Sequence, residues 1–468
     1  MKKPCQRTVL VALDLKSAFD TVDHATLLND IRVAPLPNTI KRFVAAYLKG
    51  RSTYVEFRSK RSKLRKMQQG VPQGGVHSPV LFNIYMSPLP TPPKHIHLVS
   101  FADDISIMSS GTEPVKITSN IQPYLNELTE WLRGRNLTLS PGKCTATLFT
   151  TWSKEYKCPL VLKVANTTIP TSQQVKVLGV TFDTMHKFSQ HATNTCAKVS
   201  QRNNILKQLA GTDWGCSKEI LTTTYKAVGR SVLNYAYPIW ATQLSDTKWE
   251  DLQRRQNCAL RTITGCHKMS PISHLHQETR ILPVKEHSML LAKQFFLQAH
   301  DPTRPDHHTT VPPPPGTRKL RPTLQQLFGE DVSQTIGKPL NNINREDIKA
   351  GVKKLHQEAA KKANETNTSA IWASYSGDHV PQISKEEKEL SRKAGSRLSQ
   401  LRSGYSTLLN SYKARIDTAV LDKCPDCDAN GHTTQHLFNC PSKPTNIRVG
   451  DLWLRPRRVA EFLDLDSQ

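Results

Sequence analysis

The fold is decided by the stretch VLVALD (Val9–Asp14), a continuous apolar run that ends in a carboxylate. A run of this kind predicts a strand buried on both faces, and the strand delivers Asp14 to the rim of a sheet. A second run, LVSF (Leu98–Phe101), leads into Ala102-Asp103-Asp104 and returns as ISIM (Ile105–Met108). This pattern predicts a hairpin with two acids at its tip.

The surrounding chain predicts an α+β domain over residues 1–185, followed by a helical domain over 186–300. Residues 301–322 hold seven prolines, so we expect a flexible, extended linker over 301–345. A charged helical region of solvated helices or partial disorder is expected over 346–420, and a small Cys/His-rich tail over 421–468. Further strands are predicted at Tyr54–Phe57, Thr145–Thr150 and Val175–Phe182, helices at Asn38–Lys49 and Pro123–Arg133, and a helix cap at Asp246.

Composition indicates a polyanionic partner. The 468 residues include 64 Lys and Arg against 39 Asp and Glu, a formal net charge of +25. No stretch approaches the roughly 18 to 20 apolar residues that a membrane span needs, so we expect no membrane partner. Ten cysteines are too sparse for a disulfide scaffold, and reduced thiols in the cytoplasm or nucleus are the simpler prediction.

The acids Asp14, Asp103 and Asp104 suggest a magnesium site. Adjacent carboxylates repel unless a cation neutralises them, and Mg²⁺ prefers carboxylate and phosphate oxygens. The predicted chemistry is two-metal nucleotidyl transfer, with release of pyrophosphate. Successive strand residues face opposite ways, so we rank Asp14 and Asp103 above Asp104 as ligands. The alternative is that Asp-Asp forms only a polar turn.

A glycine-rich loop, QGVPQGGVHSP (Gln69–Pro79), precedes an apolar helix expected to have Ser78 at its N-cap and Pro79 at its first position. Glycines such as Gly74 allow the backbone and Gln73 to lie against a base pair or sugar. The Lys-Ser/Thr ending of a phosphate-binding P-loop is missing. The alternative is an ordinary turn into a helix.

Taken together, these motifs resemble those of reverse transcriptases, most closely the LINE-type (non-LTR, jockey-like) retrotransposons. The similar segments are Leu13–His24, Gly70–Pro79, Phe101–Asp104, Leu137–Cys144 and Val177–Val180, and the resemblance extends over residues 1–265. It implies a right-hand polymerase with an antiparallel palm and a helical thumb. It also implies two Mg²⁺ ions, an RNA template, a DNA primer and dNTPs.

The resemblance gives roles to further residues. Phe19 takes the place of the aromatic gate that blocks a 2′-hydroxyl, and Gln73 the place that touches the incoming nucleotide or template. Lys143 stands where a proton donor to pyrophosphate is expected, and Leu178-Gly179 where the primer end is gripped. Phe101 is the aromatic residue of the Asp-Asp box. A core Phe and a solvated loop cation are the alternatives for Phe19 and Lys143.

Only thirteen residues precede Asp14, whereas reverse transcriptases place a fingers subdomain before this motif. We therefore expect the fingers to be largely missing and the chain to be a truncated copy. The alternative function is a non-catalytic nucleic-acid-binding relic.

The tail contains Cys424, Cys427, His436 and Cys440 in the spacing C-x2-C-x8-H-x3-C, which predicts a structural Zn²⁺ site. His432 competes with His436 as the fourth ligand, and a few buried thiols are the alternative. This tail also resembles the C-terminal region of the same retrotransposon proteins, which implies binding of nucleic acid.

Overall fold

The structure is a computed structural model that describes residues 6–301, 303, 324–365 and 385–466. The chain forms two compact units, one ending at Gln190 and the other beginning at His191. The first unit has a mixed α/β fold and the second consists of helices. Among the described helices, none combines the length and apolar character required to cross a bilayer.

A four-stranded antiparallel sheet forms the centre of the first unit. Its strand order is β6-β7-β1-β8, with β1 between the hairpin β6–β7 and β8. The strands of this sheet are β1 (Arg7–Asp14), β6 (Ile96–Phe101), β7 (Asp104–Gly111) and β8 (Thr145–Phe149). Four short two-stranded pairings use β2 (Ser52–Thr53), β3 (Glu56–Phe57), β4 (Lys60–Arg61), β5 (Arg65–Lys66), β9 (Lys163–Val164), β10 (Thr167–Thr168), β11 (Gln174–Val177) and β12 (Val180–Asp183).

The two faces of the sheet have different neighbours, because alternate strand residues point to opposite sides. Val9, Val11 and Leu13 are buried in the main core with the helices of this unit. Leu10, on the other face, packs in a smaller cluster with Phe149 and with Val175 of the β11–β12 hairpin. The helices are α1 (His24–Val33), α2 (Asn38–Leu48), α3 (Ser78–Met86) and α4 (Pro114–Gly134).

Several predicted elements differ from the structure in their boundaries. The segment 175–182 was predicted as one strand, but a turn at Leu178-Gly179 divides it into β11 and β12. Helix α4 begins at Pro114 rather than Pro123, and Pro123 lies inside it. Helix α3 begins at Ser78, whose hydroxyl donates to the Pro72 carbonyl instead of capping the helix.

The second unit contains the remaining helices. They are α5 (Ser189–Leu209, which starts at the boundary), α6 (Lys218–Tyr225), α7 (Ser231–Asn234), α8 (Tyr237–Trp240), α9 (Asp246–Thr264), α10 (Ile272–Thr279), α11 (Val284–Gln298), α12 (Leu324–Ile336), α13 (Arg345–Glu365), α14 (Lys385–Glu389), α15 (Arg392–Ser403), α16 (Asn410–Ile416), α17 (Thr434–Phe438), α18 (Asp451–Leu454) and α19 (Pro456–Phe462). The N-cap of α9 is Ser245, so the prediction that Asp246 caps it is wrong by one residue. Asp246 instead pairs with Lys285.

The prediction of an extended linker over 301–345 is wrong for its second half. Helix α12 lies within it, and the buried side chains Phe328 and Val332 pack against Phe296 of α11. The following helix α13 buries Ile348 and Leu355 in the same cluster, so it is not merely solvated. Most of the proline-rich stretch, residues 302 and 304–323, lies outside the described residues, as does 366–384.

The C-terminal tail shares a hydrophobic core with α15, which the sequence did not predict. Leu398 and Leu401 of that helix are fully buried against Phe438, Leu452 and Val459. Residues 421–466 are therefore packed on a helix from the preceding region.

Candidate active site and metal centre

The first site lies where β1, β6 and β7 end. Asp14, the last residue of β1, is the direct antiparallel partner of Asp104, the first residue of β7. Directly opposed residues in an antiparallel pair point to the same face of the sheet. The two carboxylates therefore lie side by side on the face that also carries Leu10 and Met108.

Asp103 lies in the tight turn of the β6–β7 hairpin rather than in a strand. Phe101 and Asp104 are the last paired residues, and Ala102 adopts a left-handed conformation with φ of 53°. The alternation of strand side chains therefore does not apply to Asp103. The ranking of Asp14 and Asp103 above Asp104 as metal ligands stays a prediction. The strand register itself pairs Asp14 directly with Asp104.

Negative charge accumulates at this edge. Burial raises the pKa of the Asp104 carboxyl, and the carboxylates of Asp103 and Asp14 raise it further, while Lys176 of β11 acts in the opposite direction. Lys143 places its Nζ 3.7 Å from Asp14 Oδ2, and its side chain is largely exposed. A set of carboxylates with this mutual repulsion is suited to bind a divalent cation.

The segment that carries Lys143 is attached to the end of β1 by the backbone. The Ser140 N–H donates to the Asp14 carbonyl over 2.8 Å, and Leu15 forms a β-bridge with Leu139. The Asp14 N–H points at the sulfur of Cys144, which is fully buried, over 3.5 Å. Burial raises the pKa of this thiol, so it is a protonated core group beneath the site. Sequence analysis did not identify this contact, because a single cysteine carries no pattern.

The glycine-rich loop is held against the segment that follows β1. Gly70, with φ of 86°, donates from its N–H to the Val22 carbonyl, and Val71 donates to the Phe19 carbonyl, each over 2.8 Å. A Cβ at Gly70 would lie 2.8 Å from the Asp20 carbonyl oxygen, so no side chain fits there. Gly74 also has positive φ, but a Cβ there would meet open space.

Phe19 and Gln73 meet around the same loop. The Phe19 ring is half-buried and stacks on Phe82 of α3 at 4.6 Å between centroids. Gln73, which is exposed, donates from Nε2 to Asp20 Oδ1 over 3.2 Å. Asp20 was missed as a site residue, although it lies within the quoted motif Leu13–His24.

The β11–β12 hairpin carries Leu178 and Gly179 in its two-residue turn. Both have positive φ, 45° and 84°, which is the geometry of a tight hairpin connection. Val175 and Val177 pack on the same sheet face as Asp14 and Asp104. The hairpin therefore lies on the side of the sheet where the carboxylates point, and Phe101 is exposed nearby at the end of β6.

The second site is the Cys/His cluster. One donor atom from each of Cys424, Cys427, His436 and Cys440 lies within 4.8 Å of all the others. Cys424 Sγ and Cys440 Sγ are 3.8 Å apart, and Cys427 Sγ is 3.2 Å from His436 Nε2. No other group of three or more His, Cys, Asp or Glu side chains in the described parts of the chain forms such a cluster, so the three aspartates do not converge as tightly.

The structure distinguishes the two candidate histidines. His432 is 3% exposed, and its Nδ1 accepts a hydrogen bond from the Asn410 N–H over 3.0 Å. His436 lies on the short helix α17, whose N-cap is Thr433. From this helix the Nε2 atom of His436 faces the sulfur of Cys427. His436, not His432, completes the set.

Comparison with known proteins agrees with the motifs. Residues 1–182 match the family described as reverse transcriptase (RNA-dependent DNA polymerase). The chain is similar to the probable RNA-directed DNA polymerase from transposon BS of Drosophila melanogaster, with 26% identity over 342 residues, which are 70% of this chain and 36% of that protein. It is also 26% identical over 264 residues to the RNA-directed DNA polymerase from mobile element jockey of the same organism, which are 54% of this chain and 28% of that protein.

The chain thus spans about a third of the length of the curated relatives it matches. Among solved structures, a telomerase from Candida tropicalis in complex with a fragment of telomeric RNA matches with 12% identity and a TM-score of 0.29. That match covers 59% of this chain and 50% of that one, a similarity too distant to support an inference.

Proposed function

The chain belongs to the reverse transcriptases of LINE-type retrotransposons, and we propose that it carries out RNA-directed DNA synthesis, joining dNTPs to a primer 3′-hydroxyl. The observation that carries this proposal is the cross-strand pair of Asp14 and Asp104 beside the turn that holds Asp103. In this proposal the first unit is the palm and helices of the second unit form the thumb. A purely nucleic-acid-binding role is not favoured, because the relatives are named as polymerases.

Asp14, Asp103 and Asp104 would hold two Mg²⁺ ions. The raised pKa of Asp104, caused by burial and by the two neighbouring carboxylates, reflects crowded negative charge that a divalent cation would relieve. When bound, Mg²⁺ favours ionisation of the primer hydroxyl and neutralises charge on the triphosphate. The protein's own contribution is a rigid sheet edge that fixes two of the three carboxylates by register.

The remaining residues select and orient the reactants. Lys143, close to Asp14 and exposed, would donate a proton to the pyrophosphate leaving group. Phe19 would exclude a ribose 2′-hydroxyl, and Gln73 with Gly74 would lie against the incoming nucleotide or the template. Leu178 and Gly179, in the turn of a hairpin on the carboxylate face, would contact the primer end, and Phe101 would flank the acids.

The Cys/His cluster would hold a structural Zn²⁺. Sulfurs on a tetrahedral zinc with bonds of ~2.3 Å lie about 3.8 Å apart, which agrees with the 3.8 Å between Cys424 and Cys440. A net charge of +25 would bind the primer and template largely through phosphates, and affinity would then fall steeply with salt.

The test is Mg²⁺-dependent extension of an oligo(dT) primer on a poly(A) template by the purified chain, beside Asp103→Asn. We expect extension by the wild-type chain and none by the variant. Glu127→Gln is the matched control, because it removes one exposed carboxylate from α4 of the same unit. Normal extension by Asp103→Asn would overturn the assignment of this carboxylate.

A second measurement reports on metal binding without activity. Mn²⁺ can replace Mg²⁺ at carboxylate sites, and its paramagnetic resonance signal falls when it binds protein. We expect Asp14→Asn and Asp103→Asn to weaken Mn²⁺ binding at least about tenfold, and Glu127→Gln to leave it unchanged. Equal binding by all four proteins would exclude a metal site at these aspartates.

A further inference from the structure

A solvent-exposed β-ribbon lies between α2 and the glycine-rich loop. It comprises residues 51–67, which we name the basic ribbon. Ser52 pairs with Lys66 at its base, Phe57 pairs with Lys60 near its tip, and Arg58-Ser59 forms the turn, with both residues at positive φ. A bond from the Ser62 N–H to the Val55 carbonyl lies between the two short pairings and joins them into one ribbon, and a bond from the Met67 N–H to the Arg51 carbonyl extends it at the base.

The basic ribbon packs on none of the hydrophobic cores formed by the described residues. Every residue from Ser52 to Lys66 is exposed, including the large apolar side chains Tyr54, Val55, Phe57 and Leu64, of which Phe57 is 70% exposed. A two-stranded ribbon without a packed face is only marginally stable. Exposed apolar side chains gathered in one place indicate an interaction surface.

The charge of the basic ribbon identifies the class of partner. Residues 51–66 contain seven Lys and Arg and a single acid, Glu56, so the net charge is +6. Two of the arginines lie over aromatic rings: Arg61 is 5.0 Å from the Tyr54 ring centre, and Arg58 is 5.3 Å from that of Phe57. Exposed lysines can bind phosphates, and guanidinium and aromatic groups can stack on bases, so this combination is suited to bind nucleic acid.

A group of three aromatic rings, of which Phe43 and His77 are exposed and Tyr47 is half-buried, connects the ribbon to the glycine-rich loop. The Arg51 guanidinium lies 4.8 Å from the ring centre of Tyr47 on α2. The rings of Phe43 and His77 each lie 6.0 Å from Tyr47, and His77 belongs to the loop itself. Phe43 is 51% exposed. The three rings therefore form a continuous aromatic surface between the glycine-rich loop and the base of the ribbon.

We propose that the basic ribbon, together with Phe43, Tyr47 and His77 at its base, binds single-stranded nucleic acid. Exposed rings offer faces for unpaired bases, which a closed duplex does not present. The strand would be template that has not yet been copied, and this identification, unlike the binding itself, rests on the proposed function.

The test measures binding of a fluorescein-labelled oligo(U) strand and of a blunt RNA–DNA duplex of equal length, over a range of salt. The ribbon variant is Arg58→Gln/Lys60→Gln/Arg61→Gln. We expect it to bind the single strand at least about tenfold more weakly. The slope of log affinity against log salt is negative, and its magnitude should decrease by about 2, since each lost phosphate contact on a single strand removes roughly 0.7. Duplex binding should change less than threefold.

A charge-matched control removes three exposed cations elsewhere in the first unit: Lys116→Gln/Arg133→Gln/Lys157→Gln. A separate variant, Tyr54→Leu/Phe57→Leu, should weaken single-strand binding by about tenfold without changing the salt slope. Equal losses in the ribbon and control variants would overturn the proposal, as would a loss confined to the duplex. Because the readout is binding, failure here is distinguishable from failure of the polymerase assignment, which the Asp103→Asn extension assay decides.

Discussion

Asp14 and Asp104 are direct cross-strand partners, 90 positions apart in sequence, and they close the antiparallel pairing of β1 with β7 at the sheet edge. Their carboxylates share one face because opposed residues in such a pair point the same way. The turn that follows β6 adds Asp103 beside them. This register is the structural basis of the proposed metal site.

Removing one of these carboxylates should slow catalysis strongly without unfolding the protein. We expect Asp14→Asn to lower the rate of primer extension by at least about a hundredfold to a thousandfold, the range for loss of one group that stabilises transition-state charge. Affinity for the primer–template should change little, because positively charged side chains bind its phosphates. Single-turnover extension and duplex titration measure the two effects, and parallel losses of both would argue for a structural role.

The Phe19 ring should determine sugar selection. Phe19→Val removes the ring, and we expect incorporation of rNTPs relative to dNTPs to rise at least about tenfold. Phe82→Leu is the control, since it removes the stacking partner at 4.6 Å but leaves Phe19 in place. If both variants lower the melting temperature and neither changes sugar discrimination, Phe19 is only a core residue.

Gly70 and Gly74 offer a matched test of the glycine-rich loop. In Gly70→Ala the new Cβ would lie 2.8 Å from the Asp20 carbonyl oxygen at φ of 86°, so we expect a loss of about 2 kcal/mol or more in the free energy of unfolding. Gly74→Ala meets no atom within 4 Å and should cost only the left-handed backbone strain, about 1 kcal/mol. Denaturant titration compares them, and equal costs would contradict the close approach.

The Cys/His cluster should bind one zinc ion per chain through His436 and not through His432. We expect Cys427→Ser and His436→Asn to lose most of the zinc measured by elemental analysis, and His432→Asn to retain it. His432 instead accepts the Asn410 N–H, so its variant should lose stability alone. Loss of zinc from the His432 variant with retention in His436→Asn would reverse the assignment.

A buried ionic cluster in the second unit should make stability depend on pH. Lys218 and Arg402 each contact Glu278 and Glu387, with N–O distances between 2.5 and 2.8 Å, and all four side chains are at most 7% exposed. Burial acts to raise the pKa of Glu387, but Arg402 and Lys218 outweigh it and hold that pKa below its usual value. Glu278 behaves in the same way, and its pKa lies well below normal.

The folded-state pKa of Glu387 is depressed. Its contribution to the free energy of unfolding is therefore complete above its unfolded pKa of about 4.3 and is lost as pH falls through the lower folded value. We expect Glu387→Gln to lower the free energy of unfolding by about 3 kcal/mol at pH 7, since Arg402 loses a buried partner. The difference in the free energy of unfolding between this variant and the wild type should narrow below about pH 4. Glu389→Gln, exposed on the same helix, is the control for thermal melts across this range. A difference that does not vary with pH would exclude an ionic origin.

The sequence by itself determined the features whose residues lie close together along the chain. Asp14 follows its apolar strand, Asp103 and Asp104 lie between two strand patterns, and Cys424 and Cys427 have the spacing of a tight turn. Local patterns of this kind can be read because hydrophobic period and turn chemistry act over a few residues.

Only the tertiary structure decided the relationships between distant segments. The pairing of Asp14 with Asp104, the buried Cys144 beneath Asp14 and the contact of Gln73 with Asp20 depend on strand register and on loop packing. The structure places His436 beside the three cysteines, whereas His432 bonds to Asn410, 22 positions upstream of it.

The errors have the same cause. Helix α12 was missed within a stretch expected to be a linker, because its stability comes from Phe328 and Val332 packing on α11 and not from a strong local pattern. The ionic cluster joins Lys218 to Glu387 across 169 positions, and no spacing rule connects them. In each case the stabilising free energy comes from packing against a segment far away in the sequence. Local sequence patterns do not indicate which distant segment will provide that contact.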